Sequence, residues 1–470
     1  MMDPALPDLV LSFSDPGFEA KLEKLRSEML EAARLAGPDS EQNRTVVSIL
    51  RDVAERGDPA VAEYTKQFDG VELAPLQFRM GADELSRAHQ SLDRRLLTSL
   101  RQAIANVRAY QEEIFIGQGS SSVGRLRGSS RKTSDDSRNE PRNRNRSTVF
   151  SEGTGIKYVP LRRAGVCVPG AAAPLPSTVI MTVVPAQVAG VREIAIVSPP
   201  RHQGSIHPVI LAVCQELGVS EVYRIGGVQA VGTLAFGTQT IAKVDKIVGP
   251  GNKWVQSAKK NVAGDYVGID SIAGPSEVLV LANDQANPAW VAADMLSQAE
   301  HGTDSSAIVL TDSPQLAQAI LEQLSRQLES LPRAADAVQS LQRFSRIIVV
   351  ANIDEAIRLA NEFATEHLEV QCGTQSREVA ERITNAGAVF IGPYTPVAVG
   401  DYWAGPSHTL PTGSRARFSS ALTSNDFVKS LSLIEYTAEQ LAAAADDIIR
   451  LAGTEGLDAH ARSVRLRQEG

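Results

Sequence analysis

Four stretches in the C-terminal half of this chain set a histidine close to an oxygen-bearing side chain: Gln298 and Glu300 with His301, Glu366 with His367, Asp401 before His408, and Glu455 before His460. The whole sequence of 470 residues holds 7 histidines, so this clustering calls for an explanation. Imidazole nitrogen, carboxylate and carboxamide oxygen are the groups from which zinc sites and proton-transfer sites are built. The pattern points to metal-assisted enzyme chemistry.

Each segment has its own setting. Asn287 and Pro288 signal the start of a helix that stops at Gly302, so Gln298 and His301, three apart, share a face and could form half of a metal site. The His-Glu-x-x-His spacing of metalloproteases is absent, and a helix-ending histidine can equally serve the helix dipole. Glu366 and His367 fall between a helix expected over 354–363 and a strand from 368, a junction where α/β sheets display catalytic groups. His367 is the better general base because its intrinsic pKa lies near working pH; Glu366 needs an environment that raises its own. A surface ion pair is the plain alternative. Asp401 to His408 runs through glycines and a proline that mark an irregular loop. Glu455 and His460 follow a helix expected over 438–451, and site residues in such a tail imply docking, for instance onto another subunit.

Stepping along the rest of the chain, residues 18–112 repeat apolar side chains at helical spacing. From Gly165 the texture changes to short β-branched runs at 166–169, 194–198, 222–227 and 246–251, then a second series at 278–281, 307–311, 347–351, 368–372 and 388–391, all alternating with helical stretches. The expected fold class is α/β: two wound parallel-sheet, Rossmann-like units with a helical N-terminal segment and a small C-terminal helical tail. Gly226, Gly227 and Gln229, and Gly249, Gly251 and Asn252, close two of the early strands. Glycine there lets backbone approach a phosphate, although GxGxxG is missing and tight turns alone would use the same residues.

Composition narrows the partners. Hydrophobic residues make up 43%, charged residues 22%, and the formal net charge is -8, which disfavours a nucleic-acid surface. No apolar run is long enough for a membrane span, and Asp3 and Asp8 stand where a secretory signal would carry basic residues, so no membrane is expected and the cytoplasm is the default location. Cys167, Cys214 and Cys372, odd in number and far apart, fit a reducing compartment. Residues 117–147, rich in Ser, Arg, Asn and Gly, have too little apolar surface to offset ordering entropy and are expected to be a disordered insertion.

Taken in order, the motifs resemble the histidinol dehydrogenase family. The resemblance is carried by Val168-Pro169-Gly170, Pro174-Leu175-Pro176-Ser177-Thr178, Gly226-Gly227-Val228-Gln229-Ala230, Gly249-Pro250-Gly251-Asn252, Ala273-Gly274-Pro275-Ser276-Glu277, Leu296 through Gly302, Glu366-His367, Gly400-Asp401-Tyr402, Ser407 through Thr412, and Glu455-Gly456-Leu457 up to His460. It implies an NAD-dependent, zinc-assisted oxidation of L-histidinol through L-histidinal to L-histidine. It implies one zinc per subunit held by Gln298, His301, Asp401 and His460, with His460 exchanged between the subunits of a homodimer. Glu366 and His367 become the catalytic pair. Substrate contacts fall to Ser276, Gln298, His301, His367, Asp401, His408, Glu455 and His460, and NAD contacts to Gln229 and Asn252. Cys167 stands where such relatives commonly carry a tyrosine against the cofactor.

The implied organisation is an N-terminal tail over 1–30, a helical part over 31–165 completed by a zinc-bearing α/β unit at 276–420, an NAD-side α/β unit at 166–275, and a docking helical tail at 421–470. The competing readings are a zinc and NAD dehydrogenase of another small polar alcohol, a noncatalytic zinc- and nucleotide-binding relative, and, further off, a zinc hydrolase. Intact Glu366 and His367 speak against the noncatalytic one.

Overall fold

The computed structural model of the protein describes residues 6–118, 148–151, 153–170, 174–332 and 334–469. The loop expected at 117–147 therefore lies, from residue 119 on, outside the described residues. Two compact units emerge: Met1–Ile114 with Leu161–Phe427, and Phe115–Pro160 with Val428–Gly470.

The larger unit contains two parallel sheets. The first has six strands, in the order β1 (Val10–Ser12), β11 (Arg346–Val349), β10 (Ser306–Thr311), β9 (Glu277–Ala282), β12 (His367–Gln371) and β13 (Ala388–Ile391). The second has five, in the order β6 (Glu221–Tyr223), β5 (Glu193–Val197), β4 (Arg163–Cys167), β7 (Lys246–Val248) and β8 (Gly268–Ile269). Apart from the edge strands β1 and β8, these are the two β-branched series of the sequence, and burial on both faces explains their near-continuous apolar character.

Helices α1 (Phe18–Ala33), α10 (Pro288–Ala299), α11 (Pro314–Leu328), α12 (Ala334–Phe344), α13 (Ile353–Phe363), α14 (Ser376–Glu381) and α15 (Val397–Tyr402) accompany the six-stranded sheet. Two cores form on its opposite faces. One contains Val278, Val280, Met295 and Ile320; the other contains Leu279, Leu281, Leu310 and Leu359. Odd and even positions of β9 thus feed different cores, as strand alternation requires. Within the tail expected at 1–30, the described residues are structured: β1 pairs with β11, and Phe18, Leu22 and Leu25 enter the second core.

Helices α2 (Glu41–Arg56), α3 (Asp58–Asp69), α4 (Ala82–Gln90), α5 (Arg94–Ile114), α6 (Pro176–Ala189), α7 (Pro208–Glu216), α8 (Gly227–Phe236) and α9 (Lys253–Val262) complete the larger unit. Ser40 caps α2 by accepting from the Asn43 amide, and Val46, Ile49, Leu50 and Val53 form its buried stripe. That stripe packs with Val197, Ile225 and Ile247 of the five-stranded-sheet side, and α4 packs on α7. The N-terminal helices α2 to α4 therefore belong with the sheet expected to serve NAD, contrary to the boundary that joined 31–165 to 276–420. An apolar stripe announces that a helix buries a face, without naming the sheet that receives it.

The smaller unit is an antiparallel sheet in the order β14 (Val428–Ile434), β3 (Thr154–Pro160), β2 (Thr148–Ser151), with α16 (Ala438–Thr454) and α17 (Asp458–Gln468) packed on one another. The two strands β3 and β14 correct the expectation of helix alone in 31–165 and 421–470. β14 finds its partner β3 far away in sequence and so carries no local hairpin signal, whereas β3 also pairs antiparallel with β2, which directly precedes it.

Candidate active site

Strand β12 reads His-Leu-Glu-Val-Gln, an alternation that ordinarily marks one wet face, yet all five residues are buried. It is flanked in parallel by β9 and β13, and its pairing sets His367, Glu369 and Gln371 opposite Val278, Val280 and Ala282 on the face that also receives α10. A buried polar ladder thus replaces part of the core.

At the head of this ladder Glu366 and His367 are 7% and 5% exposed, which removes the surface-ion-pair reading. The His367 Nδ1 lies 2.9 Å from the Glu277 carbonyl oxygen, so Nδ1–H donates there and the Nε2 tautomer position is left to act as an acceptor. Nε2 is buried without a hydrogen-bond partner, with Asp401 Oδ1 at 3.8 Å. Burial opposes charge on His367, but the Glu366 and Asp401 carboxylates outweigh it and bring the imidazole up to about 9. Burial raises Glu366 to about 7, with His367 acting in the opposite sense.

Asp401 does not sit in an irregular loop as the glycines suggested; it occupies the last turn of the short helix α15. Burial would raise it, but the imidazoles of His367, His408 and His301 hold it below the usual carboxylate range. His408 is half-buried and lowered by burial, with the Asp401 carboxylate acting in the opposite sense. Gln298 lies on α10, and His301 just beyond the helix end, where its amide donates to the Gln298 carbonyl at 3.2 Å. Ser276, immediately before β9, accepts the Ser306 amide through its carbonyl oxygen. These segments therefore converge on one end of the six-stranded sheet. Glu455 and His460 belong to the smaller unit: Glu455 ends α16, His460 lies in the first turn of α17, and both are exposed.

A cavity of about 890 Å³ links the glycine turns to this cluster, with Gly226, Gln229, Asn252, Cys167, His301 and Tyr402 in its wall. At Gly226 a Cβ would meet Pro199 at 2.6 Å, and at Gly249 (φ +103°) it would meet the Cys167 carbonyl oxygen at 2.3 Å, so neither position admits a side chain. Both polar atoms of the wholly buried Gln229 amide lack partners within the protein, as expected of a group awaiting a ligand. Asn252 uses Oδ1 to cap α9. Burial takes the Cys167 thiol up to about 12, which makes it a poor nucleophile.

Several contributors escaped sequence reasoning. Asp270 accepts the Gly249 amide at 2.7 Å, while Lys259, ion-paired with Asp270, donates to the Gly249 carbonyl at 3.0 Å. The turn is held at both ends of one residue. Glu277, next to Ser276 in the motif, supports Glu366 and His367; its signal was a carboxylate opening an apolar strand. Glu369 and Gln371 were legible as alternating polar residues, but nothing local said they were buried.

Among the described residues no three His, Cys, Asp or Glu side chains converge as a ready metal cage. What they do offer is Gln298, 1% exposed with both amide atoms partnerless, together with His301 and Asp401 in electrostatic reach of each other. An amide, an imidazole and a carboxylate suit zinc and leave room for a fourth ligand. That donor set fits the expected ion.

Glycine turns at the carboxyl ends of parallel strands and a cavity running from them to His301 and Tyr402 suit an α/β oxidoreductase, the class to which the matching proteins belong. The family model for histidinol dehydrogenase matches residues 33–468. The histidinol dehydrogenase of Geobacillus kaustophilus is 43% identical over 449 residues, 96% of this chain and 99% of that one. That of Synechococcus is 43% identical over 425 residues, covering 90% and 92%. The crystal structure of histidinol dehydrogenase from Elizabethkingia anophelis superposes with a TM-score of 0.83 at 33% identity, covering 98% of each chain. The chain belongs to the histidinol dehydrogenase family, oxidoreductases that convert histidinol to histidine with NAD in histidine biosynthesis.

Proposed function

We propose that this chain oxidises L-histidinol to L-histidine in two NAD-dependent steps at the His367 cluster, with one zinc ion per subunit. The observation that carries the reading is that two buried polar groups of this cluster, the Gln298 amide and His367 Nε2, have no hydrogen-bond partner within the protein. Groups so placed cost stability unless they serve a ligand.

In the first step a hydride leaves the carbinol carbon for the nicotinamide, and the hydroxyl proton passes to His367 Nε2, giving the aldehyde and NADH. The Glu277 carbonyl keeps the accepting tautomer in place. In the second, water adds to the aldehyde while Glu366 takes a proton from it, a role suited to a carboxyl raised to about 7. A second hydride then goes to a second NAD, and the carboxylic acid so formed releases its proton to solvent, leaving the carboxylate.

Gln298, His301 and Asp401 would hold zinc, with a fourth ligand from His460 of the partner subunit. When bound, the ion would orient the substrate through its imidazole and amino nitrogens. A base must start unprotonated, and the proposal accordingly requires Asp401 to be engaged by the cation rather than by His367. Ser276 and His408, with Glu455 of the partner subunit, would contact the substrate. Gln229 and Asn252 would contact NAD along the cavity, with Cys167 beside them.

The reading includes a homodimer in the cytoplasm. Three buried free cysteines are in keeping with a reducing compartment, and no helix among the described residues is long and apolar enough to cross a membrane. Purified protein supplied with zinc, histidinol and NAD should form two NADH per histidine. Absence of NADH from metal-loaded dimer would reject the activity, and a sedimentation mass of one chain would reject the dimer.

A further inference from the structure

Beneath the proposed metal ligands lies a buried polar group that the reaction itself does not use. Glu369, two residues after His367 on β12, is 1% exposed. Its Oε1 accepts the backbone amide of Val397 at 3.1 Å, the first residue of the six-residue helix α15 that ends near Asp401. Gln371 Nε2 donates both to Glu369 Oε2, at 2.9 Å, and to Asp294 Oδ2, at 3.0 Å. The Gln371 amide thus bridges the Asp294 and Glu369 carboxyls. Asp294 stands on α10, one turn before Gln298.

Three elements therefore meet at one carboxyl. Strand β12 brings His367, helix α15 brings Asp401, and helix α10 brings Gln298. The neighbouring apolar residues, Val280, Val291 and Val397, could fill this space with hydrocarbon, so two acids and an amide are a costly choice for mere packing. Burial, and then the closeness of Asp294, raise Glu369 to about 9, while burial raises Asp294 as well, so the two carboxyls share a proton and the group is bonded without net double charge. α15 has no side-chain cap of its own; the Glu369 oxygen supplies what its first amide lacks.

We propose that Glu369, together with Asp294 and Gln371, is the positioning residue that fixes the helices bearing Asp401 and Gln298 against the strand bearing His367, and so sets the affinity for zinc. The inference rests on the zinc reading above. Groups that orient metal ligands typically change affinity by about 10- to 100-fold when removed.

The test uses the full-length protein, measuring the zinc dissociation constant by chelator competition, the melting temperature of metal-free protein, and KM for NAD. Glu369→Leu should weaken zinc by about 10- to 100-fold and leave KM for NAD within about twofold, because the glycine turns stand on the other sheet. Glu369→Gln keeps an oxygen for Val397 and a donor for Asp294 and should restore most of the affinity. Should Glu369→Leu fail to fold, Val397→Pro removes the amide that Glu369 accepts while keeping an apolar side chain in the core. Proline suits the first position of a helix, and Pro396, at φ -67° and ψ 159°, already has the backbone a following proline needs. It too should weaken zinc. Unchanged zinc affinity in both folded variants would overturn the proposal while leaving the zinc reading intact. Failure of the unaltered protein to bind zinc would overturn both.

Discussion

Glu277 and Glu366 hold each other's backbone: Glu366 Oε2 accepts the Glu277 amide at 2.9 Å, and Glu277 Oε2 accepts the Glu366 amide at 3.3 Å. The reciprocal pair locks the head of β9 to the head of β12, and the Glu277 carbonyl then orients His367. Burial first, and then the charge of Glu366, bring Glu277 up to about 7. A carboxyl raised on folding contributes stability that is fully present below its unfolded value of 4.5 and is lost as pH rises through about 7. Metal-free protein should therefore unfold at lower denaturant at pH 8 than at pH 5.5. Glu277→Gln should flatten that slope while costing about 1 to 3 kcal/mol for the amide it leaves unaccepted. Denaturation midpoints at the two pH values decide; an unaltered slope in the variant would remove Glu277 from the account.

His367→Asn keeps a side-chain group that can donate toward the Glu277 carbonyl but lacks the ring nitrogen meant to accept the substrate proton. Turnover should fall by about 10²- to 10⁴-fold with zinc content and melting temperature close to those of the parent. Steady-state rates and metal analysis on one preparation would check it, and a variant that turns over normally would end the base assignment.

The Gln298 amide is buried with neither polar atom satisfied within the protein, an arrangement that costs stability unless a ligand occupies it. Gln298→Met, similar in length and apolar, should stabilise the metal-free fold by about 1 to 3 kcal/mol and at the same time weaken zinc. Opposite signs for stability and metal affinity are the diagnostic result. A variant less stable without metal than the parent would show that Gln298 serves the fold rather than the ion.

Lys259 and Asp270 grip both backbone groups of Gly249 from a site that is almost completely buried. Lys259→Met strands Asp270 without its partner and should cost about 3 to 5 kcal/mol. Lys259→Met with Asp270→Leu should recover part of that loss, since two apolar side chains replace two charges. KM for NAD should remain raised in the double variant, because the turn has lost its clamp. Recovery of KM together with stability would assign the pair to packing alone.

Much of the molecule follows from local chemistry in the chain. The short β-branched runs became β4 to β7 and β9 to β13, since a strand buried on both faces needs little beyond apolar residues and a turn to stop it. The histidine segments identified the family and most of the cluster, because ligands and bases must be particular residue types whatever surrounds them. Tertiary structure alone decided three things. It sent the stripe of α2 to the five-stranded sheet, paired β14 with β3, and sealed the alternating strand β12 beneath α10, so that Glu369 and Gln371 became an interior group instead of a wet face. Each depends on which distant surface covers an element. Periodicity reports that a face exists and is silent about its partner, so burial, and with it every raised carboxyl at this site, arises only when the chain is folded.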